Sequence, residues 1–223
     1  MRMANGVGSI GEIRKKVTKT HEFISTSYHE AGHTIYALLH LMKIIHVAVF
    51  ENKKLKRIHG ETYYDHPVDF NSVKDSDMLA NLVRADMGMG YAGLIAEKTL
   101  FKSISGSSQT PIFIIEGSAD DNKDAAGLMT KYNLVPPGPK RAAFKKKLMR
   151  EVQGELHFHW EAVTLLAHAL FKHRKLSGQD VATLLITRSK NKKFWKEQFK
   201  KINYFYDNSA SLDEKDLKIM VSK

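Results

Sequence analysis

The amino-acid sequence predicts a mainly α fold with a small two- or three-stranded β element placed after the first long helix. Three observations carry this expectation. Apolar residues Ile35, Leu38, Leu39 and Met42 repeat at the i, i+3, i+4, i+7 spacing of one helix face. Two β-branched and aromatic runs, Ile44 to Phe50 and Ile58 to Tyr64, follow directly and flank a turn at Lys53-Lys54. From Ser76 onward the pattern is helical, broken by Pro136-Pro137-Gly138-Pro139.

Element by element, residues 1–20 read as a basic lead-in with a short helix at Ile10 to Val17, and a helix of about 20 residues follows. After the two strands, Ser76 to Leu100 predicts one long or broken helix. Its glycines Gly88, Gly90 and Gly93 are read as sites of close helix packing, not of chemistry. Phe101 to Glu116 is expected to be a loop holding a strand at Ile112 to Ile115. Asp120 to Lys131 predicts a helix, Arg141 to Phe171 one or two more, and Asp180 to Thr187 another. Three sections result: the lead-in at 1–20, a domain at 21–187 and a basic, aromatic extension at 188–223. In the extension Phe194, Trp195, Phe199, Tyr204 and Phe205 alternate with lysines. This predicts an amphipathic helix packed on the core with its lysines in solvent, in preference to a surface for nucleic acid.

Composition narrows the classes. Hydrophobic residues make up 43% of the chain, enough for a globular core. No apolar run approaches the roughly 20 residues that span a bilayer, and Met1 to Thr20 lacks the apolar stretch of a signal peptide. A cytoplasmic location is therefore expected. With no cysteine, disulfides and thiolate metal sites are excluded, so any metal must be held by histidine and carboxylate. The formal charge of +11 favours anionic partners.

The most specific segment is His29-Glu30-Ala31-Gly32-His33. Residues four apart on a helix share a face, so both imidazoles reach one metal ion, with Glu30 beside it to take a proton from water. Gly32, a poor helix former, marks a place where another element approaches closely. A catalytic zinc has three protein ligands as a rule. Leu39 occupies the position of a third histidine in the longer motif, which leaves Glu97 and the acidic run Asp120-Asp121-Asn122-Lys123-Asp124 as equal candidates. The remaining histidines lack supporting spacing. His157, His159, His168 and His173 are read as structural or surface residues, while His46, His59 and His66 lie near enough in sequence to the site to contact substrate, though no spacing supports that role.

Several segments together resemble the peptidase domain of the FtsH family of ATP-dependent zinc metallopeptidases. Tyr28 to Thr34 is similar to that family's zinc helix. Ile45 to Val49 and Gly60-Glu61-Thr62 resemble the two strands after it, and Ala92 to Glu97 a second helix. Gly117-Ser118-Ala119-Asp120-Asp121 resembles the element that ends in the third zinc ligand. Trp160 to Leu185 resembles the closing helices, so the likeness runs over about residues 21 to 186 in order. Leu94 and Ala92 depart from the family's Arg and Gly, and no phosphate-binding loop of an ATPase occurs in the sequence.

The resemblance implies a helical zinc-peptidase domain with one zinc ion on His29, His33 and Asp121, and Glu30 as general base. It implies a protein or peptide substrate that is flexible or unfolded, and a separate ATPase or a homo-oligomer as partner. Asp120 and Asp124 are expected to serve the helix start. The other class of function is a non-proteolytic zinc protein whose basic surface binds nucleic acid or an acidic partner; Glu30, which a scaffold does not need, favours the peptidase.

Overall fold

The computed structural model describes residues 10–54, 57–107, 114, 118–135 and 138–209, with side chains from residue 18 onward. These residues form seven α-helices and one three-stranded antiparallel sheet, the mainly helical architecture with a small β element that the sequence predicts. Helix α1 (Ile10–Leu39) runs unbroken for 30 residues, so the lead-in and the motif helix are one element. Strands β1 (Lys43–Asn52) and β2 (Arg57–Asp65) pair antiparallel about the Lys53-Lys54 turn. Helix α2 (Ser76–Ser105) begins at Asp75, whose carboxylate accepts from the amides of Asp77 and Met78, and ends at Gly106 in the left-handed region. Helices α3 (Ala119–Lys131), α4 (Pro139–Phe158) and α5 (Trp160–His173) follow. Strand β3 (Lys175–Ser177), helix α6 (Gly178–Arg188) and helix α7 (Lys192–Asp207) complete the order.

Helix α1 is the axis of the domain. Every residue from Ser27 to Leu39 is buried, so this stretch is enclosed on all sides. It packs against α2, α5, β1 and β2. The approach of α2 is close because Gly32 has no side chain: a Cβ there would stand 2.6 Å from the Ala92 carbonyl oxygen and 2.7 Å from the Ala96 Cβ. The expected close contact at Gly32 is therefore with α2.

Of the strand expected at Ile112 to Ile115, only Ile114 lies within the described residues, where it is helical and buried. A third strand arises elsewhere. Arg174, in the left-handed conformation at φ 67°, turns the chain after α5. Leu176 and Ser177 then pair with Val47 and His46. The strand order is β2-β1-β3, which puts β2 at an edge.

Helix α7 joins the same core. Trp195, Ile202 and Phe205 are buried with the rest of the apolar cluster, while Lys192, Lys193, Lys196, Lys200 and Lys201 face solvent. Its contact with α1 includes a specific polar bond. The buried Gln198 amide donates to the carbonyls of Leu38 and Leu39 at 2.7 and 3.2 Å, satisfying the last turn of α1. Among the described residues, no helix is long and apolar enough to cross a membrane.

Candidate metal centre

The motif sits in the enclosed half of α1, where helical spacing stacks His29 and His33 on one face. Their Nε2 atoms are 2.8 Å apart. Asp121, from the first turn of α3, brings Oδ2 to 2.9 Å from His29 Nε2 and 3.6 Å from His33 Nε2. One ligand atom from each of the three residues falls within 4.8 Å of the others. Two ligand atoms on a tetrahedral zinc, each about 2.0–2.1 Å from it, stand roughly 3.3 Å apart, and the observed spacings bracket that value.

The outer hydrogen bonds fix which ring atoms face inward. His33 Nδ1 donates to the Met89 carbonyl at 2.7 Å, and His29 Nδ1 donates to Glu97 Oε2 at 2.9 Å. Those bonds leave Nε2 of each ring, an acceptor in the neutral imidazole, converging on a carboxylate. Three acceptors this close, two of them on buried side chains, favour a positive charge between them. The electrostatics of the groups point the same way. Burial pulls the His29 imidazole down, but Asp121, Glu97 and Glu30 outweigh it and hold it well above the ordinary histidine value. Burial raises the Asp121 carboxyl, and the two imidazoles outweigh that and hold it far below the carboxylate range. The donor set, nitrogen and carboxylate oxygen without sulfur, suits zinc.

Glu97, one of the two candidates for third ligand, stands on the far side of the His29 ring. It is buried, receives Ser25 Oγ at 2.6 Å, and serves to orient and polarise His29. Removing it by Glu97→Ala is expected to weaken zinc binding about 10- to 100-fold in competition against a chelator. Glu97→Gln should cost less, because an amide oxygen can still accept from Nδ1.

Glu30 is buried beside the imidazoles, and the Thr62 hydroxyl on β2 donates to its Oε2 at 2.7 Å. The backbone of β2 comes close enough that a Cβ on Gly60 would fall 2.5 Å from Glu30 Cγ. Gly93 does the same for the ligands, since its Cβ would fall 2.5 Å from His33 Nε2 and nearer still to His29 Nε2. The α2 glycines are packing sites, as expected, but at Gly93 the packed partner is the centre itself. Thr62, Gly60 and Gly93 were not legible as site residues. The signal was the stripe Asp86, Gly90, Gly93, Glu97 at i, i+4, i+7, i+11, which lays one face of α2 against the motif.

Asp120 and Asp121 both lie in the first turn of α3, but neither caps it. Ser118 is the N-cap residue and makes no side-chain cap bond, its hydroxyl donating to the Ile114 carbonyl. Asp124 lies one turn further in, exposed on the wall of a cleft. Of the other histidines, His168 packs edge-on to Tyr28, and His159 lies among Phe194 and Trp195. His46 pairs with Glu61 at 2.9 Å, and His59 rests against Phe50. His66 lies 3.2 Å from Asp86 Oδ1, so His46 and His66 each reach the cleft through a carboxylate that lines it.

The cleft has a volume of about 640 Å³ and opens beside Glu30, His33 and Asp121. Gly60, Thr62 and Tyr64 of β2 form one wall, and α3 from Asp121 to Lys131 forms the other. Burial, then Asp86, holds the Tyr64 hydroxyl well above the ordinary tyrosine range, so it acts as a donor. No protein-family model matches the chain, and no curated protein matches it.

Proposed function

We propose that the chain is a zinc-dependent endopeptidase of the FtsH-like kind, acting on flexible or unfolded segments of protein. The observation that carries this reading is the convergence of His29, His33 and Asp121 beside Glu30, at the head of a cleft bordered by an edge strand. His29, His33 and Asp121 would hold the zinc, which when bound would supply a Lewis acid for activating water and polarising a carbonyl near neutral pH. Every other role belongs to the chain. Glu97 and the Met89 carbonyl hold the two imidazoles with Nε2 inward. Thr62 fixes the Glu30 carboxylate, which accepts the proton of the attacking water and returns it to the leaving amine. The outer edge of β2 offers backbone donors and acceptors to an extended chain, which supports broad sequence tolerance.

This reading places the protein in the cytoplasm, acting alone, as a homo-oligomer or fed by a separate ATPase. The competing reading, a binding protein for nucleic acid or an acidic partner, rests on the solvent-facing lysines of α7. The test is hydrolysis of an unfolded, casein-like protein by the zinc-loaded chain. Cleavage is expected without ATP, lost on chelation and restored by zinc. Salt-sensitive binding of random nucleic acid with no cleavage would support the binding protein instead.

A further inference from the structure

A second groove lies beyond the metal centre, at the C-terminal end of α1. Its volume is about 440 Å³, room for one or two side chains. Gly154 and Phe158 of α4, Phe194 and Lys201 of α7, and Leu39 of α1 line it. Leu39 follows His33 by six residues, roughly 9 Å along the helix, and the groove shares no lining residue with the cleft. Phe158 is the most exposed large hydrophobic side chain among the described residues, at 77%, and Phe194 is 40% exposed. Both rings rest against His159, at centroid distances of 5.0 and 4.9 Å. Exposed rings gathered on one groove, instead of scattered singly, mark a place where an apolar group docks. Gln198, only 8% exposed, lines the same groove. Its amide nitrogen is committed to the Leu38 and Leu39 carbonyls, while its Oε1 accepts no hydrogen bond among the described residues. That oxygen gains from an N–H donor brought into the groove.

The surroundings are positive. Glu155, at the groove, is engaged by His40 at 3.0 Å, and Glu151, one turn earlier on α4, by Arg84. Glu197 on α7 is held by Lys200 at 3.0 Å. Lys201 stands at the groove wall, and Arg150 and Lys147 are exposed one and two turns before Gly154 on the same side of α4. These three cations pair with no carboxylate among the described residues. An apolar groove with a buried acceptor, rimmed by positive charge, complements a short acidic segment that carries one bulky apolar residue. A polynucleotide needs a row of cations along its backbone, whereas Lys192 and Lys196 lie on the other side of α7 from Gln198. We propose that this groove docks an acidic peptide segment of a partner protein, with one leucine or aromatic side chain seated between Phe158 and Phe194 and carboxylates on Lys201, Arg150 and Lys147. The surface is separate from the metal centre, so the inference goes beyond the peptidase reading and does not depend on it.

The probes are three short fluorescent peptides titrated against the full chain by anisotropy at low salt. One is rich in Asp and Glu around a central Trp, one has Ala in place of the Trp, and one has Asn and Gln in place of the acids. The first is expected to bind about tenfold more tightly than either of the others, the size of one seated apolar side chain or one charge-assisted contact. Phe158→Ser and Lys201→Glu should each weaken the first peptide about tenfold. Both side chains are exposed, so zinc binding and the thermal melt should not change. Equal binding of the three peptides, or binding that survives both substitutions, overturns the docking site. Tighter binding of a random single-stranded oligonucleotide that displaces the peptide gives the surface to nucleic acid and overturns it too. Self-association of the chain that Phe158→Ser abolishes, with no peptide bound, gives the groove to a second copy, again against the proposal.

Discussion

Replacing Glu30 by glutamine is expected to lower kcat on an unfolded protein substrate by about 10²- to 10⁴-fold, the usual contribution of a positioned general base. Zinc stoichiometry should not change, because Glu30 is not one of the three converging ligands. Nor should the fold: Gln is the same shape, and its amide oxygen can still accept from the Thr62 hydroxyl that holds Oε2 at 2.7 Å. The measurement is a progress curve for casein-like substrate, run beside metal analysis and a thermal melt of the same preparations. Full activity in the zinc-loaded variant would remove Glu30 from the mechanism and would leave the metal centre without a base.

The second large effect comes from a residue with no side chain. Alanine normally stabilises a helix by about 0.8–1 kcal/mol over glycine, and Gly154→Ala in α4 should behave so, since its Cβ would meet nothing within 4 Å. Gly93→Ala in α2 should do the opposite. Its methyl would occupy space 2.5 Å from His33 Nε2, and still closer to His29 Nε2. Either the imidazoles rotate away, against Glu97 and the Met89 carbonyl that hold them, or α2 backs off from α1. Zinc affinity is expected to fall by more than about 100-fold, beyond the loss expected for an outer-shell partner, with hydrolysis lost in proportion. A chelator competition series on both alanine variants checks this; equal zinc affinity in the two would show that α2 can yield.

What was legible in the sequence was what short-range spacing specifies. The pair His29 and His33, with Glu30 between them, needs only one turn of helix, and the strands at β1 and β2 announce themselves by β-branched residues around a turn. Asp121 is different. It lies 92 residues from His29, and the residues alone left it level with Glu97, because only tertiary packing decides which face of each ring a carboxylate reaches. The structure gives the inner face to Asp121 and the outer to Glu97. Strand β3 was illegible for a related reason: three residues have no periodicity of their own, and Lys175–Ser177 is a strand only because β1 is there to pair with it. Helix α7 showed its amphipathic pattern openly, but its bond to the end of α1 through Gln198 depends on a contact 160 residues away.

The open edge of β2 has a second face. A strand that offers unpaired amides and carbonyls to one extended chain offers them to any, including another copy of itself, and edge strands are where sheet proteins stick together. Two features restrain that here. Arg57, Glu61 and Asp65 interrupt the strand with charge, and α3 stands across the cleft as a wall. A helix standing over a strand edge leaves a slot for a single thread and denies room to a sheet. Selectivity for loose, unpaired polypeptide over folded protein or aggregate would then be a matter of admission, settled at the entrance before any bond is chosen.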